Sequence, residues 1–294
     1  WRLGTPQPSD VLLCYDRDDL DTVRSWGANH VVYLPTAADL IDPVEPRDEF
    51  ACDISFIGSV FDQRETYAGW STPLKEVADR LIEQVYSSYP EKRLRPPDFD
   101  GLLTDEALPR GSEVNLLDLS KYIYLEVNNR LRLDAIRRLS IYDLRVYGQP
   151  YWQVLLGEKD AQRCYRGMIE YSSSASVMAS SRINLNLTSL QTGCSLGTRC
   201  FNIIAQRGCL VTEWIEGLDH LFESGEGVVY YHGLDELTEA VERCLSDPGE
   251  REEIVQRGRE RILREHTFRH RAETIHSYLL NQRESFFDER SSLI

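Results

Sequence analysis

The order of apolar and polar residues along this chain alternates between two periods. Short runs in which apolar side chains recur at every second position predict strands, and longer runs with apolar residues three or four positions apart predict helices. The predicted strands cover residues 10–14, 31–34, 52–58, 142–147, 167–171, 183–187, 209–212 and 228–231. Strands that alternate with helices in this way are typical of an α/β protein with a doubly wound parallel sheet.

Helices are predicted between the strands, and segments rich in proline or charge predict the longer connections. The predicted helices lie at residues 18–26, 74–86, 116–139, 174–181, 199–207, 234–244 and 250–265. Residues 36–50 contain two prolines and several acids, which predicts a linker after a single βαβ step. Residues 89–110 are rich in proline and charge and predict an exposed excursion, and residues 148–152 predict a turn.

The segment from Arg182 to Glu213 predicts a strand, a flexible polar loop, a helix and a second strand. The loop from Thr188 to Thr198 is rich in Ser, Thr, Gly and Cys, and Arg199 opens the helix. A helix N-terminus presents free backbone N–H groups and the positive end of a dipole, which favour an anion, and Arg199 adds a permanent cation. The segment therefore predicts a phosphate site, although an ordinary βαβ unit with a solvated loop and a surface arginine has the same pattern.

Composition and charge limit the class of protein. The chain has 294 residues, of which 41% are apolar and 10% aromatic, as in globular domains. Its net charge of −15 would repel a polyanion over most of its surface, so neither nucleic acid nor an anionic membrane is an expected partner. No apolar run approaches the ~20 residues that cross a bilayer, so no transmembrane segment is expected.

Cysteine and histidine usage argues against a disulfide framework and against a metal site. The seven cysteines are an odd number at irregular spacing, and no CxxC pair suggests zinc, so a reducing cytoplasm is the expected location. His266 and His270 lie four residues apart but lack the internal glutamate of HExxH, so we expect the end of a helical segment there and no metal. Neither GxGxxG nor GxxxxGKS or GxxxxGKT occurs, which disfavours a dehydrogenase and a P-loop NTPase.

Seven segments, taken in order, resemble the C-terminal half of group 1 glycosyltransferases of GT-B fold, and among these the CgeB-like branch of spore-maturation proteins. The segments are YLPTAAD (33–39), DISFIGS (53–59), LRVYGQPYW (144–152), INLNLT (183–188), GTRCFNIIAQRGCLVTE (197–213), LFESGEGVVYY (221–231) and EREEIVQRGRERILREHTFRHR (250–271). Residues 89–135 resemble the family least. The resemblance implies a Rossmann-like, nucleotide-sugar-binding C-terminal domain over residues 46–272, with a helical excursion at 74–139. Residues 1–45 would be a remnant of the acceptor-side Rossmann-like domain with its linker, and residues 273–294 a helical tail.

The activity implied by the resemblance is transfer of a sugar from a UDP-, GDP- or TDP-sugar to an unknown acceptor, whether a glycan, a protein or a small molecule. The nucleotide sugar would be a substrate, and no tightly bound cofactor is expected. The chain begins at Trp1 without a methionine, which suggests a fragment or a processed product lacking most of the acceptor half. The alternative is an inactive nucleotide-sugar-binding or interaction module that associates through the surface of the missing half. A sugar-nucleotide epimerase of the same architecture is a third interpretation.

The resemblance also implies which residues form the site. Arg199 and Glu213 would be catalytic: Arg199 would stabilise the leaving diphosphate, whereas Glu213 would meet the sugar or be an exposed loop acid. The donor contacts would be Gly58, Ser59, Arg64, Tyr147, Gly148, Tyr171, Asn186, Gly197, Thr198, Arg199 and Asn202. Small residues at the end of a strand let the backbone approach a cleft, or simply form a turn. Arg64 would face the pyrophosphate, or else be a surface arginine at a helix start.

Asn202 departs from the family pattern. It stands where the family often has a glutamate, in an Arg-x-Phe-Glu sequence whose carboxylate would bind the ribose hydroxyls. An amide can still donate and accept hydrogen bonds, so a ribose contact is expected in weaker form. Tyr171 is expected in the pocket for the base, and Tyr147 and Trp152 would either line an aromatic turn or belong to the core.

Overall fold

The computed structural model describes residues 5–7, 9–89, 108–109, 111–112 and 114–291, with side chains described up to residue 281. The excursion predicted at 89–110 therefore lies almost entirely outside the described residues.

The first structural unit is a small βαβ step. Strands β1 (Val11–Cys14) and β2 (His30–Tyr33) are parallel, with Leu12 opposite Val31, and helix α1 (Leu20–Ser25) connects them. Only three apolar residues of this unit are buried, Cys14, Val23 and Ala28. So small a core contributes little free energy by itself, and the unit depends on its contacts with the rest of the chain.

The second unit is built on a five-stranded parallel sheet. Its strands are β3 (Cys52–Ile57), β4 (Leu144–Tyr147), β5 (Ser181–Asn186), β6 (Leu210–Glu213) and β7 (Val228–Tyr231), in the order β4-β3-β5-β6-β7. The chain moves from β3 outward to β4 on one side, and then returns to place β5 on the other side of β3. Where the winding direction reverses, a crevice opens at the carboxyl ends of the strands. The fold is therefore the doubly wound parallel sheet expected from the sequence.

Helices cover both faces of this sheet. They are α2 (Arg64–Ala68), α3 (Thr72–Ser88), α4 (Leu116–Arg138), α5 (Tyr151–Cys164), α6 (Tyr171–Ser180), α7 (Thr198–Ala205), α8 (Gly233–Ser246), α9 (Pro248–Glu265) and α10 (Phe268–Ser291). The end of α4, with α5 and α8, packs on one face around Phe56 and Val146, while α6, α7 and α9 pack on the other around Phe201 and Ile204. None of the helices in the described part of the chain combines the length and apolar character needed to cross a bilayer.

A third core joins α3 to the first half of α4. Ala78, Ile82, Ile123 and Val127 are among its buried residues. Helix α3 is amphipathic, and the two helices form a hairpin inserted between β3 and β4. Because Arg132 lies further along α4 and reaches the strand ends, this hairpin stands beside the crevice.

Two local predictions are wrong. Residues 167–171 do not form a strand, because Gly167 has a φ of 85° and Tyr171 already begins α6. Trp152 belongs to α5 rather than to a turn; it is fully buried and packs edge-on against Phe56, with ring centroids 5.9 Å apart. A bulky aromatic residue fits either a turn or a buried helix start, so the sequence pattern alone did not separate the two.

Candidate functional site

Two glycines shape the edge of the crevice beside β3. Gly58 follows β3 and donates its N–H to the carbonyl of Tyr147 at 2.9 Å, while its own carbonyl accepts from the Trp152 indole at 2.8 Å. A Cβ on Gly58 would overlap the Phe56 ring, and one on Gly148 would overlap the Gly58 carbonyl. Since Tyr147 is also buried, Gly58, Tyr147 and Gly148 serve close packing of these strand ends.

Arg199 reaches across the crevice from the other side. It is the second residue of α7, and its Nη1 donates to the carbonyl of Ile57 at the end of β3. Burial lowers the pKa of its guanidinium. Gly197 is the N-cap of α7, and no side chain caps the helix, so the first N–H groups remain available to an anion.

Arg132 lies beside Arg199 and is the residue that the sequence analysis missed. It projects from α4, donates to the carbonyl of Ser59, and lies 3.5 Å from the carbonyl of Leu187 after β5. Its Nε is buried and has no hydrogen-bond partner in the part of the chain that the structure describes. Burial, together with the positive charge of Arg199, lowers the pKa of Arg132 to about 10. Among the described residues, no carboxylate forms an ion pair with either guanidinium.

One turn of α4 also fixes the two loops that border the crevice. The Asn129 amide accepts from the N–H of Phe61 at 3.1 Å and donates to the carbonyl of the same residue at 2.8 Å. The Asn128 amide accepts from the N–H of Leu190 at 2.9 Å and donates to Ser189 Oγ at 2.9 Å. Adjacent amides therefore hold the loop after β3 and the loop after β5.

Glu213 and Asn186 lie at the ends of the neighbouring strands. Glu213 is buried at the end of β6 and lines a small cavity with Arg132 and Thr188. Asn186 ends β5 and donates to the hydroxyls of Thr188 at 3.0 Å and Thr212 at 2.9 Å. The structure thus brings both residues to the carboxyl edge of the sheet, as expected from their positions after strands.

Arg64 occupies a different environment. It lies at the exposed start of α2, where its guanidinium pairs with Asp62 at 2.6 Å and covers the ring of Tyr151. The ion pair raises the pKa of Arg64 and lowers that of Asp62. Its charge is already compensated by Asp62, whereas no carboxylate among the described residues pairs with Arg132 or Arg199.

Asn202 and Tyr171, the residues expected to contact the ribose and the base, form hydrogen bonds with the linker. Asn202 is 1% exposed, and its Oδ1 accepts from the N–H groups of Asp39 at 3.0 Å and Leu40 at 3.2 Å. Its Nδ2 donates to the hydroxyl of Tyr171, which in turn donates to the Asp39 carboxylate. Asn202 lies three residues beyond Arg199 on α7 and faces the linker, so the side chains of Asn202 and Tyr171 fasten the linker to the helix.

Another buried arginine, Arg271, holds the junction between α9 and α10. Arg271 donates to the carbonyls of Pro35 at 2.7 Å, Thr36 at 2.8 Å and Glu265 at 3.0 Å. It also donates to Nδ1 of His266, whose other ring nitrogen lies 3.2 Å from the carbonyl of Leu221. This arrangement requires a neutral His266, and burial together with the nearby arginines lowers the His266 pKa to about 4.

Asp16, Asp18 and Cys194 come close enough together, within 4.8 Å, to suggest a metal site. The oxygens of Asp16, however, already accept hydrogen bonds from the N–H groups of Gly193 at 2.7 Å and Asp18 at 3.1 Å. The cluster is therefore better described as a buried carboxylate surrounded by hydrogen-bond donors.

Comparison with known proteins places this arrangement in a family. A family model described as glycosyl transferase-like matches residues 128–277, which is just over half of the chain. The chain belongs to the glycosyl transferase-like family. The matched region begins at Asn128, so it contains Arg132, Arg199 and Glu213, whereas β1, β2 and β3 precede it. A search of curated proteins found no match.

Solved structures show the fold of this glycosyl transferase-like chain. Sucrose-phosphate synthase from Thermosynechococcus elongatus matches with a TM-score of 0.57 and 12% identity, over 94% of this chain and 59% of that one. HepE from Anabaena, in complex with UDP-glucose, matches with a TM-score of 0.52 and 10% identity, over 92% of this chain and 64% of that one. The fold is of the GT-B type. The chain spans about three fifths of the length of these structures.

Proposed function

We propose that this chain is the donor-binding part of a nucleotide-sugar-dependent glycosyltransferase of the CgeB-like branch. The observation that carries the proposal is the pair of buried guanidinium groups, Arg132 and Arg199, at the reversal point of the sheet. Two like charges held together without a carboxylate partner among the described residues are costly in free energy unless an anion joins them. A diphosphate beside the uncapped start of α7 would satisfy both.

The geometry suits departure of a nucleotide diphosphate. When the bond between the anomeric carbon and the phosphate oxygen breaks, the electron pair stays on the diphosphate and the sugar passes to the acceptor oxygen. Arg132, Arg199 and the first N–H groups of α7 would stabilise the charge that develops there. Because these donors are already oriented in the folded chain, they would not have to be reorganised during the reaction.

Further expected donor contacts border the same crevice. We assign the diphosphate to the backbone of Ser59, Gly197 and Thr198, and the sugar to Glu213, with Gly58 packing the end of β3 and Asn186 supporting the end of β5. Glu213 shares a small cavity with Arg132, which supports a position next to the diphosphate. Arg64, Tyr171 and Asn202 are occupied by other contacts and are left out of this assignment.

The UDP-sugars are the first donors to test, because HepE structures of this fold contain UDP-glucose, or UDP with glucose. GDP- and TDP-sugars complete the panel, and the acceptor is unassigned. None of the seven cysteines forms a disulfide, which supports a cytoplasmic location.

Calorimetric titration with UDP, GDP, TDP and uridine tests the proposal. Arg132→Met and Arg199→Met should each weaken binding of the preferred nucleoside diphosphate at least about tenfold, while uridine binding changes little. Arg182→Met is the matched control, since Arg182 lies at the opposite end of β5 and pairs with Asp53 at 2.9 Å. Binding that is unaffected by either crevice substitution, or an equal loss for diphosphate and nucleoside, would contradict the assignment.

A second candidate is an inactive nucleotide-binding module. It is favoured by Asn202, whose amide is used by the linker where the family often carries a carboxylate. Hydrolysis of a bound UDP-sugar by the chain, measured as release of UDP, would favour the enzyme. Tight UDP binding without hydrolysis or transfer to any offered acceptor would favour the module.

A further inference from the structure

A buried carboxylate from the first βαβ unit contacts the loop that leads into α7. Asp16 follows β1 and is 3% exposed. Its Oδ2 accepts from the N–H of Gly193 at 2.7 Å and from the hydroxyl of Ser195 at 3.1 Å. Hydrogen bonds to an ionised acceptor are stronger than those between neutral groups, so this contact fixes the loop firmly.

The glycine at position 193 is a second sign of the contact between this loop and Asp16. A Cβ on Gly193 would lie 2.7 Å from an Asp18 oxygen and 2.8 Å from both oxygens of Asp16. Such distances are shorter than real Cβ contacts, so only glycine allows the backbone to approach the carboxylate this closely. Gly193 is therefore the residue that permits the loop to approach Asp16 this closely.

The loop continues directly into the N-terminus of α7. Ser195 is followed by Leu196, which is buried in the core and whose carbonyl accepts from the Thr36 hydroxyl at 3.0 Å. Gly197 then caps α7, and Arg199 is its second residue. The position of Arg199 thus depends on contacts made by residues almost 180 positions earlier in the chain.

We propose that Asp16 is a positioning residue for the diphosphate site. Its carboxylate holds residues 193–195 and thereby sets the position of the uncapped start of α7, and of Arg199, relative to β3. Asp16 itself contacts neither α7 nor Arg199. This inference rests on the proposed function for its ligand. It also gives the small first βαβ unit a role at the donor site: that unit supplies the carboxylate.

Asp16→Asn is the direct test, because the amide has the same shape but turns an N–H₂ group toward at least one donor. The inference predicts about tenfold weaker binding of UDP and of inorganic pyrophosphate, with uridine unaffected, because small displacements of a preorganised site have large effects. It also predicts faster amide hydrogen exchange in the peptide 187–199. Asp21→Asn, on the same unit but exposed and paired with Arg24, is the control and should leave both quantities unchanged.

Ser195→Ala keeps the carboxylate and removes one of its donors. A smaller loss of pyrophosphate affinity in the same direction, about threefold, is expected, and this variant serves as the test should Asp16→Asn fail to fold. Affinity and exchange indistinguishable from those of Asp21→Asn would overturn the inference. If the unsubstituted chain binds neither UDP nor pyrophosphate, the proposed function fails, because the ligand of this site is then not a diphosphate. The exchange measurement then decides separately whether Asp16 holds the loop.

Discussion

Arg271 and the pair Arg132 and Arg199 are buried guanidinium groups that bind backbone carbonyls, yet they differ in how completely they are satisfied. Arg271 donates to three carbonyl groups and to a neutral histidine. Arg132 has a buried Nε without a partner and a second cation as its neighbour. A saturated buried arginine fastens chain segments together, whereas a like-charged pair that includes an unsatisfied Nε, beside a helix N-terminus, is suited to receive an anion.

The largest effect is expected when the saturated site is removed. Arg271→Ala would leave the carbonyls of Pro35, Thr36 and Glu265 without their donor, and should lower the free energy of unfolding by about 3 kcal/mol. Urea denaturation measures this loss. Arg269→Ala, which removes an exposed pair with Glu273, is the control and should cost less than about 0.5 kcal/mol. Equal losses in the two variants would show that the hydrogen bonds of Arg271 contribute no more to stability than an exposed ion pair.

Acid should place a second positive charge, on His266, next to Arg271. The Arg271 site would then resemble the pair of Arg132 and Arg199. Below a pH of about 6.5 the unfolded chain protonates His266, whereas the folded chain does so only near its lowered pKa of about 4. Stability from this group is therefore present above pH 6.5 and is lost as the pH falls toward 4, by about 2 kcal/mol, because a cation then faces Arg271.

His266→Gln should flatten this dependence between pH 6.5 and 4, as followed by the urea midpoint. His276→Gln, at an exposed position on α10, is the matched control and should keep the slope of the unsubstituted protein. An unchanged slope in His266→Gln would assign the acid sensitivity to other groups.

Removal of an unsaturated arginine should have a much smaller effect on stability. Arg132→Met loses hydrogen bonds to two carbonyls but also removes a desolvated charge, so the free energy of unfolding should change by no more than about 1 kcal/mol. Inorganic pyrophosphate should raise the melting temperature of the unsubstituted protein and not that of Arg132→Met, since a ligand stabilises the state that binds it. A fall in stability comparable to that of Arg271→Ala would make Arg132 a structural residue.

The smallest effect is expected at Arg64. Its exposed ion pair with Asp62 is already complete, so Arg64→Ala should change neither the melting temperature nor, by more than about twofold, the affinity for UDP. A tenfold loss of affinity would show that the pair opens to receive the diphosphate and would restore Arg64 to the site.

The parts of the site that could be predicted from the sequence are those encoded locally. Alternation at Ile183, Leu185 and Leu187 predicted β5, and the polar loop followed by Arg199 predicted the exposed helix start, because each signal lies within a few residues. Arg132 could not be found in this way. Its contacts join α4 to Ser59 and Leu187, which are 73 and 55 residues away, and only the folded chain brings them together.

The contacts of Asn202 and Tyr171 with the linker could not be predicted for the same reason. The family pattern placed Asn202 correctly on the helix after Arg199, but which face of that helix meets the linker depends on Asp39 and Leu40, more than 160 residues away. A single amide provides no local signal that distinguishes a ribose contact from a backbone contact.

Asn128 and Asn129 connect the α3 and α4 hairpin to the width of the crevice. Consecutive residues on a helix point about 100° apart, so a slight rotation of α4 about its axis displaces the two loops by different amounts and changes the gap between them. That rotation is set by packing of residues such as Ile123 and Val127 against α3. If the crevice binds the proposed nucleotide sugar, repacking this hairpin would alter which donors fit while every residue that borders the crevice is retained.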